Sequence, residues 1–158
     1  MPKTRSLLLG LAGAAVAATA VFAGAAMAQD ANPAVTARKS QMQLYAFNLG
    51  TLGAMAKGEA AYDSQAAQGA ADNLVKLSSL SAAPMWPAET DDMSIDGTRA
   101  LATLWDNFPD VVEKTGALAA AAEGMAAAAG TALAALQQAM GPLGGACSAC
   151  HKAYRAPE

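Results

Sequence analysis

Residues 147–151 read Cys147-Ser148-Ala149-Cys150-His151, and their types and spacing carry the most specific chemistry in the chain. Two cysteines separated by two residues and followed directly by histidine form the attachment signature of a c-type haem. In that arrangement Cys147 and Cys150 form thioethers with the two vinyl groups of the porphyrin, and His151 ligates the iron from the proximal side. The sequence therefore predicts one covalently attached haem c per chain, with His151 as the metal ligand.

The same pair of cysteines has two other interpretations, a redox dithiol or disulfide and half of a zinc site. Zinc would need two more soft ligands, but the chain has no third cysteine and no second histidine. A thioredoxin-like dithiol is expected beside alternating strands and helices. Haem attachment is therefore favoured over a dithiol, and a dithiol over zinc.

An export signal precedes the domain that must hold this motif. Lys3 and Arg5 form a positively charged n-region, and residues 7–26 are apolar. Residues 26–28 read Ala-Met-Ala, a small-x-small cleavage site. The apolar run approaches the roughly 20 residues that span a bilayer, so a membrane anchor is the alternative. The many small residues of this segment and its cleavage site favour a cleaved signal peptide over a membrane anchor.

We therefore expect residues 1–28 to be a cleaved signal peptide and residues 29–158 to form one domain. That domain has eight basic and thirteen acidic residues, a net charge of −5. Nucleic acid is not an expected partner, and the acidic surface suits brief contact with basic redox partner proteins. An exported protein with covalent haem is expected in the bacterial periplasm, without membrane attachment after cleavage.

The mature chain is rich in helix-forming residues and shows no convincing alternating strand pattern. Four helices are predicted, from Asn32-Pro33 to Lys57, from after Asp63 to about Ser81, from Asn107 to Ala129, and from after Gly130 to about Arg155. Two prolines and a polar run make residues 82–106 the one long connection. This order predicts an all-α fold, an antiparallel up-down-up-down four-helix bundle.

The apolar stripes of the helices predict which side chains reach the core. In the first helix Val35, Met42, Leu49 and Ala56 recur every seven residues, which places Met42 in the core. In the last helix both cysteines fall on the core-facing stripe, so the haem is expected to lie in the interior of the bundle.

Two further features of the helices bear on that placement. The third helix has alanine at residues 119–122 and 126–129, which would leave space that a porphyrin could fill. Pro142 lies inside the last helix and cannot donate to the carbonyl of Gln138. A kink or break is therefore predicted near residues 141–145.

The mature chain resembles the cytochrome c′ family of haem-carrying four-helix bundles over about Pro33 to Ala156. The segments that carry the resemblance are Arg38-Lys39-Ser40, Asn48-Leu49-Gly50, Ala56-Lys57-Gly58-Glu59, Tyr62-Asp63, Trp86-Pro87, Thr98-Arg99-Ala100, Leu104-Trp105 and the closing CSACHKAYR. Together these segments are much more specific than the haem motif alone.

The resemblance implies a high-spin, five-coordinate haem whose sixth position is empty but crowded. It implies haem contacts for Arg38, through propionate pairing, and for Lys39, Thr90 and Asp91. The two basic residues could instead be ordinary solvated helix residues. Further residues are implied on both sides of the haem: Met42 as the crowding residue on the distal side and Arg155 beside the proximal imidazole.

The resemblance also implies a homodimer formed through the first two helices. Leu44, Phe47 and Met55 lie off the main stripe of the first helix and are the candidate contacts.

The amino-acid composition limits which side chains can ligate the iron. His151 is the only histidine, so two histidines of one chain cannot both ligate the iron. A methionine ligand would favour low-spin haem and a higher potential, and whether Met42 ligates iron or only blocks it stays open. An empty apolar distal face would instead admit small uncharged diatomics and exclude anions, because burying charge is costly.

These observations lead to one expected function and two alternatives. We expect a periplasmic haem protein that binds nitric oxide or carbon monoxide, as a carrier or sink of nitric oxide. One-electron transfer in a respiratory or photosynthetic chain is the alternative, and a redox dithiol protein would require that no haem be attached. No motif places a second acid or base residue, so enzymatic catalysis is not expected.

Overall fold

The computed structural model describes residues 32–157, so the predicted signal peptide, residues 1–28, lies outside the described part. Within residues 32–157 the fold is all-helical. Its elements are α1 (Pro33–Lys57), α2 (Ser64–Ser78), a 3₁₀ helix (Ala83–Met85), α3 (Thr103–Asp106), α4 (Phe108–Ala129) and α5 (Leu133–Tyr154). None of the described helices is long and apolar enough to cross a membrane.

The predicted helix starts are confirmed by their capping contacts. Asn32 Oδ1 accepts hydrogen bonds from the backbone N–H groups of Ala34 (3.0 Å) and Val35 (3.3 Å), with Pro33 at the first helical position. Asp63 caps α2 in the same way. At the other end of α1, Gly58 adopts φ 75°, a left-handed conformation that suits glycine.

The four long helices pack in a ring, α1 on α2, α2 on α4, α4 on α5 and α5 on α1. Each contributes a fully buried side chain to one core, namely Leu52, Leu74, Met125 and Leu136. The predicted four-helix bundle is therefore confirmed. α2 ends three residues earlier than predicted, and the one-turn helix α3 was not predicted.

The break that was predicted near residues 141–145 is wrong, whereas the kink, the other form of that prediction, stays a prediction. α5 runs without interruption from Leu133 to Tyr154, with Pro142 inside it. Pro142 and Gln138 are both exposed, so the region where the proline removes a hydrogen bond is open to water. The helix tolerates the proline because hydration can replace the missing donor there.

The alanines of α4 serve two purposes. Ala122 and Ala129 are fully buried in the core, where they permit close helix packing. On another side of α4 the alanine runs border a groove of about 400 Å³ between α4 and α5, lined by Ala120, Ala121, Gly124, Ala128, Ala135, Gln138, Ala139 and Pro142. Neither the cysteines nor the histidine of the motif lines that groove, so a porphyrin in space left by the alanines stays a prediction.

Candidate haem-attachment site

The last two turns of α5 carry the three residues of the haem motif. Cys147, Cys150 and His151 are all half-buried, and both cysteines are free thiols. His151 follows Cys147 by four residues, which places both on one side of the helix. The motif is therefore held on a regular helix, with its reactive atoms neither buried in the core nor fully in solvent.

The His151 imidazole has the properties that an iron ligand needs. It forms no hydrogen bond with any residue in the range 32–157, so its nitrogens are not committed to the protein there. Burial lowers the pKa of His151, and the positive charges of Arg155 and Arg99 lower it further. The ring is consequently neutral at pH 7, the form that ligates metal.

The two thiols are poorly suited to dithiol chemistry. Burial is the main cause that raises the pKa of both Cys147 and Cys150 above the ordinary value for a thiol. A redox dithiol works through a thiolate with a lowered pKa. The site thus fits thioether attachment better than thiol–disulfide exchange.

α1 packs against α5, and its Tyr45 packs on the core cluster to which α5 contributes Leu136 and Leu143. Burial is the main cause that raises the pKa of Tyr45 to about 12, and the charge that Cys147 would carry raises it further. Arg38, Met42 and Tyr45 are spaced by four and three residues, which puts Met42 on the same face of α1.

Met42 was predicted to lie in the core, and this is wrong, because its side chain is 38% exposed. Met42 belongs to neither of the two hydrophobic clusters of the described residues and is not among the side chains that pack against them.

A second, smaller hydrophobic cluster surrounds Cys150. Its buried members are Leu104, Val111 and Tyr154, and Trp86, Trp105 and Cys150 pack against them. The two indole rings lie 6.2 Å apart at 57°, and Trp105 Nε1 donates to the carbonyl of Trp86 at 3.2 Å. α3 thus contributes its one turn to the wall of the attachment site.

Arg38 is 3% exposed and is bonded into the long connection between α2 and α3. Its Nη1 donates to Thr90 Oγ1 at 2.7 Å and to the Met85 carbonyl at 3.5 Å. Its Nη2 donates to Thr98 Oγ1 at 2.7 Å and to the Thr90 carbonyl. The guanidinium carbon also lies 4.8 Å from the Trp86 ring centroid and 5.9 Å from that of Trp105. Arg38 is therefore not an ordinary solvated helix residue.

Thr90 and Asp91, the other implied haem contacts, are buried in the same connection. Thr90 Oγ1 donates to the Pro87 carbonyl at 2.8 Å. Asp91 accepts from the Ser94 hydroxyl (2.7 Å) and from the N–H groups of Met93 (2.9 Å) and Ser94 (3.0 Å), and the Ser94 hydroxyl is the main cause that lowers its pKa. Both side chains therefore make hydrogen bonds that stabilise the conformation of the connection.

Lys39 and Arg155 are both exposed. Lys39 Nζ donates to the Gly97 carbonyl at 2.9 Å, beside a cleft of about 270 Å³ between α1 and the connection. The Arg155 N–H donates to the His151 carbonyl at 3.1 Å, and the charge of Arg155 contributes, after burial, to the lowered pKa of His151.

The sequence reasoning missed the contacts between the long connection and the C-terminal residues. The Leu101 N–H donates to the Tyr154 carbonyl (3.0 Å), the Ala156 N–H donates to the Arg99 carbonyl (2.9 Å), and Arg99 Nε donates to the Ala156 carbonyl (2.9 Å). The only signal in the sequence was the Thr98-Arg99-Ala100 segment, which contributed to the family resemblance but was given no structural role.

Fold and site together define a c-type haem protein built on a four-helix bundle. The sequence profile of the family described as cytochrome c′ matches residues 33–155, nearly the whole of the described part. The chain belongs to the cytochrome c′ family.

The relatives are similar along most of their length. Cytochrome c-554 of Cereibacter sphaeroides is 41% identical over 133 residues, covering 82% of this chain and 87% of the relative. The solved cytochrome c′ of Rhodobacter sphaeroides is 34% identical with a TM-score of 0.78, covering 80% of this chain and 97% of that one. A ferrous variant of cytochrome c′ from Alcaligenes xylosoxidans, solved with bound NO, is 29% identical with a TM-score of 0.68, covering 79% and 94%.

Proposed function

We propose that this protein is a periplasmic haem protein that binds nitric oxide or carbon monoxide on the distal face of one covalently attached haem c. Cys147 and Cys150 would hold the porphyrin, and His151 would ligate the iron. When bound, the haem would supply an iron that can take up a small diatomic ligand. The observation that carries the proposal is that the imidazole of His151 has no hydrogen bond to residues 32–157. His151 is also the only histidine of the sequence, so no second histidine of the chain can fill the sixth position.

The distal side is assigned to the turn of α1 that carries Met42. The packing of α1 against α5 supports this, together with the effect that the charge of Cys147 would have on the pKa of Tyr45, one turn further along α1. Met42 would crowd the sixth position without ligating the iron. An apolar, crowded face admits a small uncharged diatomic and disfavours an anion, which would lose its hydration. The NO bound in the Alcaligenes xylosoxidans relative supports the same ligand class.

The remaining implied contacts would hold the edges of the haem. Arg38 Nε has no hydrogen-bond partner among residues 32–157 and could donate to a propionate while Nη1 and Nη2 hold the connection. Lys39, Thr90 and Asp91 would line the same edge, and Arg155 would lie on the proximal side.

The test begins with the visible spectrum of the purified ferrous protein before and after adding carbon monoxide or nitric oxide. Retention of haem after denaturation and extraction in acidified organic solvent is checked first, with Cys147→Ser/Cys150→Ser as the variant expected to lose it. A high-spin spectrum that shifts on gas addition supports gas binding. A low-spin spectrum that neither gas changes would contradict it.

Electron transfer is the second candidate, and the placement of Met42 is what favours it. A thioether on the α1 face opposite the motif could serve as a sixth ligand, giving low-spin iron of higher potential. Partner proteins would then exchange electrons with the haem. The same spectrum separates the two functions, because only an internally ligated haem stays unchanged with gas.

We also propose that the protein is a homodimer formed through α1 and α2. Leu44 and Phe47 are 51% and 71% exposed and lie three residues apart on α1, so they offer apolar surface that a partner could cover. The expectation for Met55 is wrong, because it is 6% exposed and packs in the core of the bundle.

A further inference from the structure

Residues 86–101, which we call the strap, are hydrogen-bonded to both α1 and α5. Arg38 of α1 donates to Thr90 near the start of the strap and to Thr98 near its end. At residue 101 the strap bonds to the last residue of α5, through the Leu101 N–H and the Tyr154 carbonyl at 3.0 Å. The strap therefore links the helix of Met42 to the helix of His151.

Arg38 is the one buried side chain of α1 that makes this link. Among the described residues the only other α1 side chain that hydrogen-bonds to the strap is exposed Lys39, through the Gly97 carbonyl. No carboxylate within residues 32–157 lies within salt-bridge distance of Arg38. Burying an unpaired cation is costly, and here hydroxyl and carbonyl acceptors and two indole faces offset that cost.

The geometry of these contacts needs an arginine. The planar fork reaches the hydroxyls of Thr90 and Thr98 from different nitrogens while its face lies over Trp86. A lysine ammonium would keep the charge but has no fork and no planar face to stack.

We propose that Arg38 is a positioning residue that, through Thr98 and Thr90, sets the separation between the α1 face of Met42 and the haem-bearing end of α5. The proposal rests on the proposed function in taking Met42 as the distal residue. A looser strap lets α1 move away from α5, so the sixth position becomes easier to enter. Arg38 acts here through the strap, apart from any contact with a propionate.

The experiment uses haem-loaded protein and substitutions of Thr98, which no implied haem contact includes. Thr98→Val removes the acceptor for Arg38 Nη2 and for the Ala100 N–H, whereas Thr98→Ser keeps both. Thr115→Val is the matched control, because the Thr115 hydroxyl donates only to Val112 within its own helix. Hydrogen exchange of the strap and the rate of carbon monoxide binding to the ferrous protein are measured for each.

Thr98→Val should speed hydrogen exchange in the strap about tenfold or more, the size expected from losing one charge-assisted hydrogen bond. Carbon monoxide should also bind faster, while Thr98→Ser and Thr115→Val change neither rate. Unchanged exchange in Thr98→Val, or faster exchange with unchanged carbon monoxide binding, would overturn the proposal. If Thr98→Val does not fold, Thr98→Ala, which removes the same acceptor with a smaller side chain, is expected to give the same two effects.

A protein that binds no carbon monoxide at all would remove the proposed function without deciding this inference. The midpoint potential of the haem then replaces the gas measurement. A potential that differs between Thr98→Val and Thr115→Val, together with faster strap exchange, supports the positioning role. Equal potentials would overturn it.

Discussion

The Tyr154 hydroxyl donates a hydrogen bond to Asp110 Oδ2, which joins the last turn of α5 to the first turn of α4 beside Cys150. Lys114 Nζ lies 3.1 Å from the other carboxylate oxygen. The hydrogen bond from Tyr154 is the main cause that lowers the pKa of Asp110, with Lys114 second. The same bond, followed by burial, raises the pKa of Tyr154 to about 12. The contact thus stabilises the end of the helix that carries the haem motif.

We expect Tyr154→Phe to lower stability by an amount that depends on pH. Because the folded-state pKa of Asp110 is lowered, its contribution is present above the ordinary value of about 4 and is lost as the pH falls below it. Because the folded-state pKa of Tyr154 is raised, its contribution is lost as the pH rises from about 10 to about 12. Urea unfolding should give a difference between wild type and variant that is flat at neutral pH and shrinks in acid. A difference that stays constant down to pH values of about 2 would contradict this account.

Pro142→Ala should stabilise the protein by about 1–3 kcal/mol, since it restores a helical donor and removes a clash with the preceding turn. The control is Gly145→Ala in the same exposed stretch of α5, where an added Cβ meets nothing within 4 Å. That control should add about 0.5–1 kcal/mol by helix propensity alone. Both are measured by chemical unfolding of the haem-loaded protein. If Pro142→Ala stabilised no more than Gly145→Ala, the proline would cost nothing in this helix.

The parts of the fold that were predicted correctly depend on local chemistry. Asn32 and Asp63 cap the first N–H groups of their own helices, so two or three residues suffice to identify each start. Pro142 is the exception, because a proline is tolerated in a helix when it lies on the face that is exposed to water. Which face of α5 is exposed depends on how the helices pack, and the local sequence does not encode that packing.

The parts of the site that were missed depend on contacts between distant residues. Arg38 meets Thr90 and Thr98 across 52 and 60 residues, and Tyr154 meets Asp110 across 44. No periodicity along the chain encodes those pairs. Met42 shows the limit of the heptad pattern, since it occupies a position of the stripe but is 38% exposed and belongs to neither hydrophobic cluster of the described residues.

Phe47→Asp is expected to weaken self-association, because it places a charge on the most exposed large apolar side chain of α1. Val112→Asp, on α4 at 55% exposure, is the matched control and should leave the oligomeric state unchanged. Sedimentation velocity over a concentration series compares both variants with wild type. A wild-type protein that stays monomeric at high concentration, or a Phe47→Asp variant that still forms dimers, would remove the proposed α1 interface.

Substitutions of Met42 separate crowding from ligation. If Met42 only crowds the iron, Met42→Leu keeps the size without the sulfur and should leave the high-spin ferrous spectrum unchanged. Met42→Ala removes the obstruction and should speed carbon monoxide binding by about tenfold, equivalent to ~1.4 kcal/mol of barrier. Met93→Leu, at 87% exposure in the strap, controls for loss of a thioether elsewhere. A low-spin wild type that becomes high-spin in Met42→Leu but not in Met93→Leu would identify Met42 as the sixth ligand and make electron transfer the leading function.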